Sequence, residues 1–271
     1  MPLTRSFLQE FKVKTVSFYN HKGGVGKTSL TTAVAGQLIY RHKKVIMIDS
    51  DSQANLTNQF LHSKELDYEF ADYLFADKNS KPEILQRAIK KTRYKNLFIL
   101  PTKKLSEGGR IDQWARTQAG ESENRRTLPN LITYLSQLGF EFVLFDMPPS
   151  YSELDKKILL ASDEVIPVLK IEKDSVEGLA DFYVLLDELK DGEEKPLVNK
   201  LIFNMRNKTV GEQNKMMGQI DAIKSKKFIF PMEQAIETAK KEMKLLQNYK
   251  IKKETFELLD ELVKEIMEGE E

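Results

Sequence analysis

At 271 residues with 41% hydrophobic positions, the chain can build one α/β domain with a sizeable core. It contains no cysteine, which excludes disulfide frameworks, thiolate metal sites, iron–sulfur ligation and cysteine nucleophiles. The net charge of +1 supplies no global field for nucleic acid, and no run approaches the roughly 20 apolar residues that span a bilayer.

Residues 1–13 read as an N-terminal extension rather than as a signal peptide, since Arg5, Glu10 and Lys12 interrupt any apolar run. The expectation is a soluble, cytoplasmic protein without a separate DNA-reading domain ahead of its first strand. Residues 15–20 (TVSFYN) predict a strand that runs into a Gly-rich loop. Residues 29–40 then place Ala33, Ala35, Leu38 and Ile39 for a packed helix. The nearly unbroken apolar run at 44–49 (KVIMID) predicts a strand covered on both faces. Similar runs follow at 97–100, 142–146, 165–169 and 201–204, with a shorter one at 228–230.

Residues 103–126 are polar and Gly-containing and read as a mobile excursion. Trp114, the only tryptophan, reads as a local packing anchor. Residues 254–271 form an acidic C-terminal helix, with Phe256, Leu259, Leu262, Val263 and Ile266 on one apolar face. Strands alternating with helices predict a single doubly wound, mostly parallel sheet flanked by helices over 1–271. In such a sheet ligands sit at the carboxyl ends of the strands, where Asn20, Asp49, Asp51, Asp146 and Asn204 fall.

The chemistry centres on His21-Lys22-Gly23-Gly24-Val25-Gly26-Lys27-Thr28-Ser29, between the first predicted strand and helix. Position 21 is His where the strict phosphate-loop spacing has Gly, but the G-K-T core and the strand–loop–helix context remain. Successive N–H groups of a glycine-rich turn at a helix N-terminus form an anion nest, and glycines let the backbone approach phosphates. Lys27 would contact the terminal phosphates and the Thr28 hydroxyl would ligate Mg²⁺. A cap of a helix starting near Gln53 is the lesser alternative for Asp49 or Asp51, since Asp is a favoured N-cap. Pro148 and Pro149 either end a strand or stiffen a switch segment. His21 reads as exposed or structural, since three unclustered histidines suggest no metal site.

KGGVGKT, with its second lysine Lys22, resembles the deviant phosphate loop of the ParA/MinD superfamily, closest in kind to small ParA/Soj-type plasmid or chromosome partition ATPases. IDSDSQAN at 48–55 is similar to that family's D-x-D-P-Q-G-N motif, FDMPP at 145–149 to its D-T-P-P motif, and 165–179 to the segment that follows. The resemblance implies slow, Mg²⁺-dependent ATP hydrolysis by a phosphate-loop ATPase. Lys22 would reach across an ATP-bound homodimer to the partner subunit's phosphates, and Asp51 would orient the attacking water. Thr28, Asp49 and Asp146 would support Mg²⁺, while Asn204 and the Pro231 region would border adenine. Ser52, Ala54 and Met147 depart from the family's proline, glycine and threonine.

Asn207-Lys208-Thr209-Val210 lacks the aspartate of a guanine-reading motif, which leaves adenine as the base. The acidic C-terminus repels anionic lipid, so no membrane partner is expected. The resemblance further implies nonspecific DNA binding, nucleoid association and a ParB-like partner that stimulates hydrolysis. Residues 222–253 hold nine lysines against three glutamates, whereas 254–271 hold eight acids against one lysine. Candidate DNA patches are Lys224, Lys226, Lys227, Lys240, Lys241 and Lys244, or Arg87, Lys90, Lys91, Arg93 and Lys95; ordinary solvated faces are the alternative. A related ATPase that positions a protein cargo without DNA, or a nucleotide-binding scaffold without turnover, stays open.

Overall fold

A computed structural model describes residues 13–190, 192, 194–233, 244–248 and 251–268. The extension at 1–13 therefore lies outside the described residues, apart from Val13, which is buried in the core.

Eight strands form one sheet: β1 (Lys14–Tyr19), β2 (Val45–Asp49), β3 (Lys90–Lys91), β4 (Leu97–Leu100), β5 (Phe142–Asp146), β6 (Glu164–Lys170), β7 (Lys200–Arg206) and β8 (Lys226–Pro231). Their spatial order is β3-β4-β2-β5-β1-β6-β7-β8, and every neighbouring pair is parallel except β3–β4. Each apolar run read from the sequence is a strand of this sheet. The short β3 was not anticipated, because two lysines on an antiparallel edge carry no apolar signal.

Central strands are apolar throughout because helices cover both faces. In β2, Val45 and Met47 join Val16, Phe18, Val34 and Leu262 on the side of the helix Lys27–Tyr40. Ile46 and Ile48 point the other way, toward Trp114, Leu131 and Ile158. That alternation is the period of two expected of a strand. From β1 the chain crosses to β2 on one side, and from β5 it passes over β1 to β6 on the other. The crevice at the carboxyl end of β1 is thus the switch point of the sheet.

Residues 103–126 are better ordered than their polarity suggests. The helix Ile111–Thr117 lies within them, seated by buried Ile111 and by a fully buried Trp114. The C-terminal helix Lys253–Glu268 packs Leu259, Leu262, Val263 and Ile266 inward as expected. Phe256 is the exception at 43% exposed; Thr255 occupies the inward position of that turn. Arg41 pairs with Asp260, and Gln247 Nε2 donates to Ala33 O (2.9 Å), so the C-terminal region braces the helix Lys27–Tyr40.

At the opposite, amino end of the sheet, the first residues of three adjacent strands form a buried ionic group. Glu164 receives Lys200 Nζ at 2.7 Å and Lys14 Nζ at 3.9 Å, and all three side chains are buried.

Candidate functional site

The loop leaving β1 is shaped by Asn20 and two glycines. Asn20 Nδ2 donates to Val168 O (2.6 Å) and its Oδ1 accepts Lys22 N (2.8 Å), which ties the loop to β6. Gly24 and Gly26 have φ of 70° and 102°, a region that L side chains rarely adopt. Gly26 is the N-cap of the helix Lys27–Tyr40, and Leu30 N donates to its carbonyl at 2.9 Å. The free N–H groups of that first turn therefore face the crevice. Lys27 is buried, with Nζ donating to Asn20 O (2.9 Å) and Lys22 O (3.2 Å). Burial lowers its pKa, opposed by the charges of Asp146, Asp51 and Asp155. One lysine thus sits in the field of three acids.

Asp49 and Asp146 end adjacent strands in register, so two carboxylates are buried side by side. Asp49 Oδ2 accepts both Thr57 N and Thr57 Oγ1 at 2.7 Å, and its Oδ1 accepts Asp51 N at 3.2 Å. Burial still pushes its carboxyl up to about 7. Asp146 is the less satisfied member: neither carboxylate oxygen has a settled hydrogen-bond partner. Burial first, then the Asp49 charge, raise its pKa well above the carboxylate range, while the Thr28 hydroxyl opposes this. Asp51 Oδ1 accepts Gln53 N (2.9 Å), and burial raises its pKa as well.

Capping and site membership therefore coexist. Asp49 satisfies the first turn of the helix Asn55–Phe60 through Thr57, and Asp51 holds the turn before it; Asp51 also belongs to the acid group around Lys27, whereas Asp49 adjoins that group through Asp146 and Asp51. Ala54, the N-cap of that helix, has φ of 51°, which explains why glycine suits this position in the resembling motif. Ala54→Gly is expected to stabilise the protein by about 1 kcal/mol through relief of left-handed strain. Urea unfolding checks this, and an unchanged midpoint would count against strain at this residue.

Lys22 turns outward, 3.7 Å from Asp174, whose side chain is 81% exposed. With Tyr19, Tyr151 and Asp181 these residues line an open groove of about 490 Å³ beside the loop. His21 is exposed, as anticipated. Asn204 is buried and fully engaged: Nδ2 donates to Val25 O and Oδ1 accepts Met205 N, each at 2.9 Å. In this geometry it braces the loop. Pro231 lies one strand further out, at the end of β8 opposite Arg206.

Asp155 escaped the sequence reading. Its Oδ2 accepts Ser150 Oγ, Ser152 N and Ser152 Oγ at 2.7 to 2.8 Å, and its Oδ1 is buried without a partner. The pattern Ser152-x-x-Asp155 is a helix capping signal, and nothing in it announces proximity to Lys27.

The family model AAA_31, an AAA domain, matches residues 13–200. ParA family protein pGP5-D of Chlamydia muridarum is 30% identical over 190 residues, covering 70% of this chain and 67% of that one. The chain belongs to the ParA/MinD superfamily. Another relative, protein BBD21 of Borreliella burgdorferi, is 34% identical over 208 residues, covering 74% of this chain and 78% of its own. The fold is shared with an ATP complex of Cyanothece McdA at a TM-score of 0.78, with 19% identity, 94% of this chain and 96% of that one covered.

Of the two lysines of the loop, Lys27 is turned inward and Lys22 pairs with the exposed Asp174. The site also suits the Mg²⁺ that the family implies. Asp146 offers orphaned, buried oxygens beside the Thr28 hydroxyl, and Mg²⁺ characteristically takes few protein ligands and keeps its waters. Asp49 fits a direct metal role less well, because its oxygens already serve Thr57 and Asp51. Among the described residues no helix is long and apolar enough to cross a membrane.

The two lysine patches fare differently. Lys226 is held by Glu261 (2.8 Å) and Glu265 (2.9 Å) of the acidic C-terminal helix, and Lys227 Nζ donates to backbone carbonyls of Asp221 and Ile223. Lys240 and Lys241 lie outside the described residues; of the remaining two, Lys224 is exposed and Lys244 half-buried. In the other patch Arg87, on the helix Lys81–Ala88, and Lys91, Arg93 and Lys95, on and after the edge strand β3, are exposed, although Arg87 also pairs with Glu83; Lys90 is half-buried, its Nζ donating to Arg87 O (2.9 Å).

Proposed function

We propose that this chain is a partition-type ATPase that dimerises on ATP, hydrolyses it slowly with Mg²⁺, and binds DNA nonspecifically while dimeric. The observation that carries the reading is the convergence of Lys27, Asp51 and Asp146 on a glycine loop at the sheet's switch point. Residues Gly23, Gly24, Val25, Gly26, Lys27, Thr28 and Ser29 cradle the phosphates. Thr28 and Asp146 would hold Mg²⁺, with Asp49 behind them fixing the turn through Thr57 and Asp51. Mg²⁺ held there would supply positive charge against the charge that develops on the phosphates in transfer.

Asp51 orients the attacking water from the turn that Gln53 N holds in place. Lys22 leaves Asp174 to reach the phosphates of the partner subunit; the exposure of Asp174 makes that pair weak. Asn204 and the Pro231 region border the adenine, and a ParB-like protein stimulates turnover in the cytoplasm, at the nucleoid. The sheet-edge patch Arg87, Lys91, Arg93 and Lys95 contacts DNA phosphates, which makes binding strongly dependent on salt.

Asp51→Ala is expected to lower ATP turnover by about 10²-fold or more, with nucleotide affinity retained. Phosphate release and nucleotide titration on the same preparation check it; undiminished turnover would remove Asp51 from the mechanism. DNA titration with ATP, with ADP and without nucleotide, across salt, tests the rest. The neutralised Lys226 favours one alternative, an ATPase that positions a protein cargo. Absence of DNA binding at low salt by an ATP-locked dimer would select it.

A further inference from the structure

Lys170 ends β6, and three observations aim it at the phosphate loop. Ile166 and Val168, four and two residues earlier on the strand, belong to the core cluster that holds Val25 and the helix Lys27–Tyr40. The period of two puts Lys170 on that same face, at the carboxyl end of the strand. In register beside it on β7 stands Asn204, whose amide already bonds the loop at Val25 O.

The second observation is distance. A Cβ placed on Gly24 would lie 4.0 Å from Lys170 Nζ, so the ammonium sits over the loop's backbone at a glycine with φ of 70°. The third is chemical. Among the described residues this ammonium has neither an ion pair nor a hydrogen bond, unlike Lys27, which bonds loop carbonyls, and Lys22, which pairs with Asp174. A half-buried cation held against an anion nest without an acid of its own is matched by an anionic ligand.

We propose that Lys170 is a phosphate-binding residue of this site, supplying from β6 a further ammonium to the phosphate chain of the bound nucleoside triphosphate. Together with Lys27 it brackets the chain within one subunit, before any partner contributes Lys22. The assignment rests on the reading that the loop holds a nucleotide, and the test separates the two.

Fluorescently labelled ATP analogue and ADP are titrated, with Mg²⁺ at low and high salt, into the wild type, Lys170→Met, Lys170→Arg and Lys27→Met. Thermal unfolding of each nucleotide-free protein runs alongside. Lys170→Met is expected to weaken triphosphate binding about tenfold, the scale of one charge-assisted hydrogen bond, with a shallower dependence on salt and an unchanged Tm. Lys170→Arg should recover most of the affinity. A wild-type protein that binds no nucleotide overturns the site reading, and the Lys170 assignment with it. Wild-type binding that Lys27→Met weakens and Lys170→Met leaves unchanged, in affinity and salt dependence, overturns the Lys170 assignment alone. A loss in Lys170→Met that arginine does not rescue, accompanied by a lowered Tm, also overturns it.

Discussion

Gly26→Ala is expected to lower nucleotide affinity on the order of 100-fold. Two effects combine at this residue. Its φ of 102° strains any L side chain, and an added Cβ would fall 2.2 Å from Asn204 Nδ2. The methyl must therefore displace the amide that bonds Val25 O at 2.9 Å, releasing the loop from β7. If the free loop relaxes to another path, binding must restore backbone strain of about 2 kcal/mol and forgo a buried hydrogen bond of about 1 kcal/mol, roughly 3 kcal/mol in all. At about 1.4 kcal/mol per decade, this corresponds to about two orders of magnitude. Equilibrium titration with labelled nucleotide measures it. Gly218→Ala is the control, since no atom lies within 4 Å of its added methyl. Affinity within threefold of wild type in Gly26→Ala would show that the loop tolerates another backbone path.

Glu164→Gln should destabilise the protein by about 3–5 kcal/mol, the scale found when one partner of a buried ion pair is removed. Glu164 lies between Lys200 at 2.7 Å and Lys14 at 3.9 Å, all at the first positions of β6, β7 and β1. With glutamine there, Lys200 keeps only neutral acceptors, the new amide oxygen and Asn199 Oδ1 at 3.2 Å, and remains buried beside a second ammonium. The desolvation of the Lys200 charge is then no longer offset by an opposite charge. Urea unfolding gives the change in free energy. Because the group is at the amino end of the strands, the variant that remains folded at low temperature should bind nucleotide normally. A loss below about 1 kcal/mol would mean that water or a rearranged side chain replaces the carboxylate.

These two residues mark the limits of what the chain discloses before it folds. Gly26 was legible because a glycine before Lys27-Thr28, between a strand and a helix, has a local physical reason. Glu164 was silent: it sits in a run whose apolar neighbours promise a strand, and only strand order brings Lys14 and Lys200 to it. Lys226 was read as one member of a basic patch, and the fold instead sets it against Glu261 and Glu265, 35 and 39 residues later in the chain. Phe256 was placed on an apolar face by periodicity alone, and the packing turned that face by one residue.

By itself the sequence determined the strands other than β3, the glycine loop and the acids at the strand ends, because each depends on short-range periodicity or on backbone freedom at glycine. The register of β2 against β5, which sets Asp49 beside Asp146, was decided only by the tertiary structure. So were the engagement of Asn204 with Val25, the nearness of Asp155 to Lys27, and the approach of Lys170 to Gly24. Each is a contact between residues far apart in the chain. Their burial and charge arise when strands pair, and no local pattern encodes which strands will.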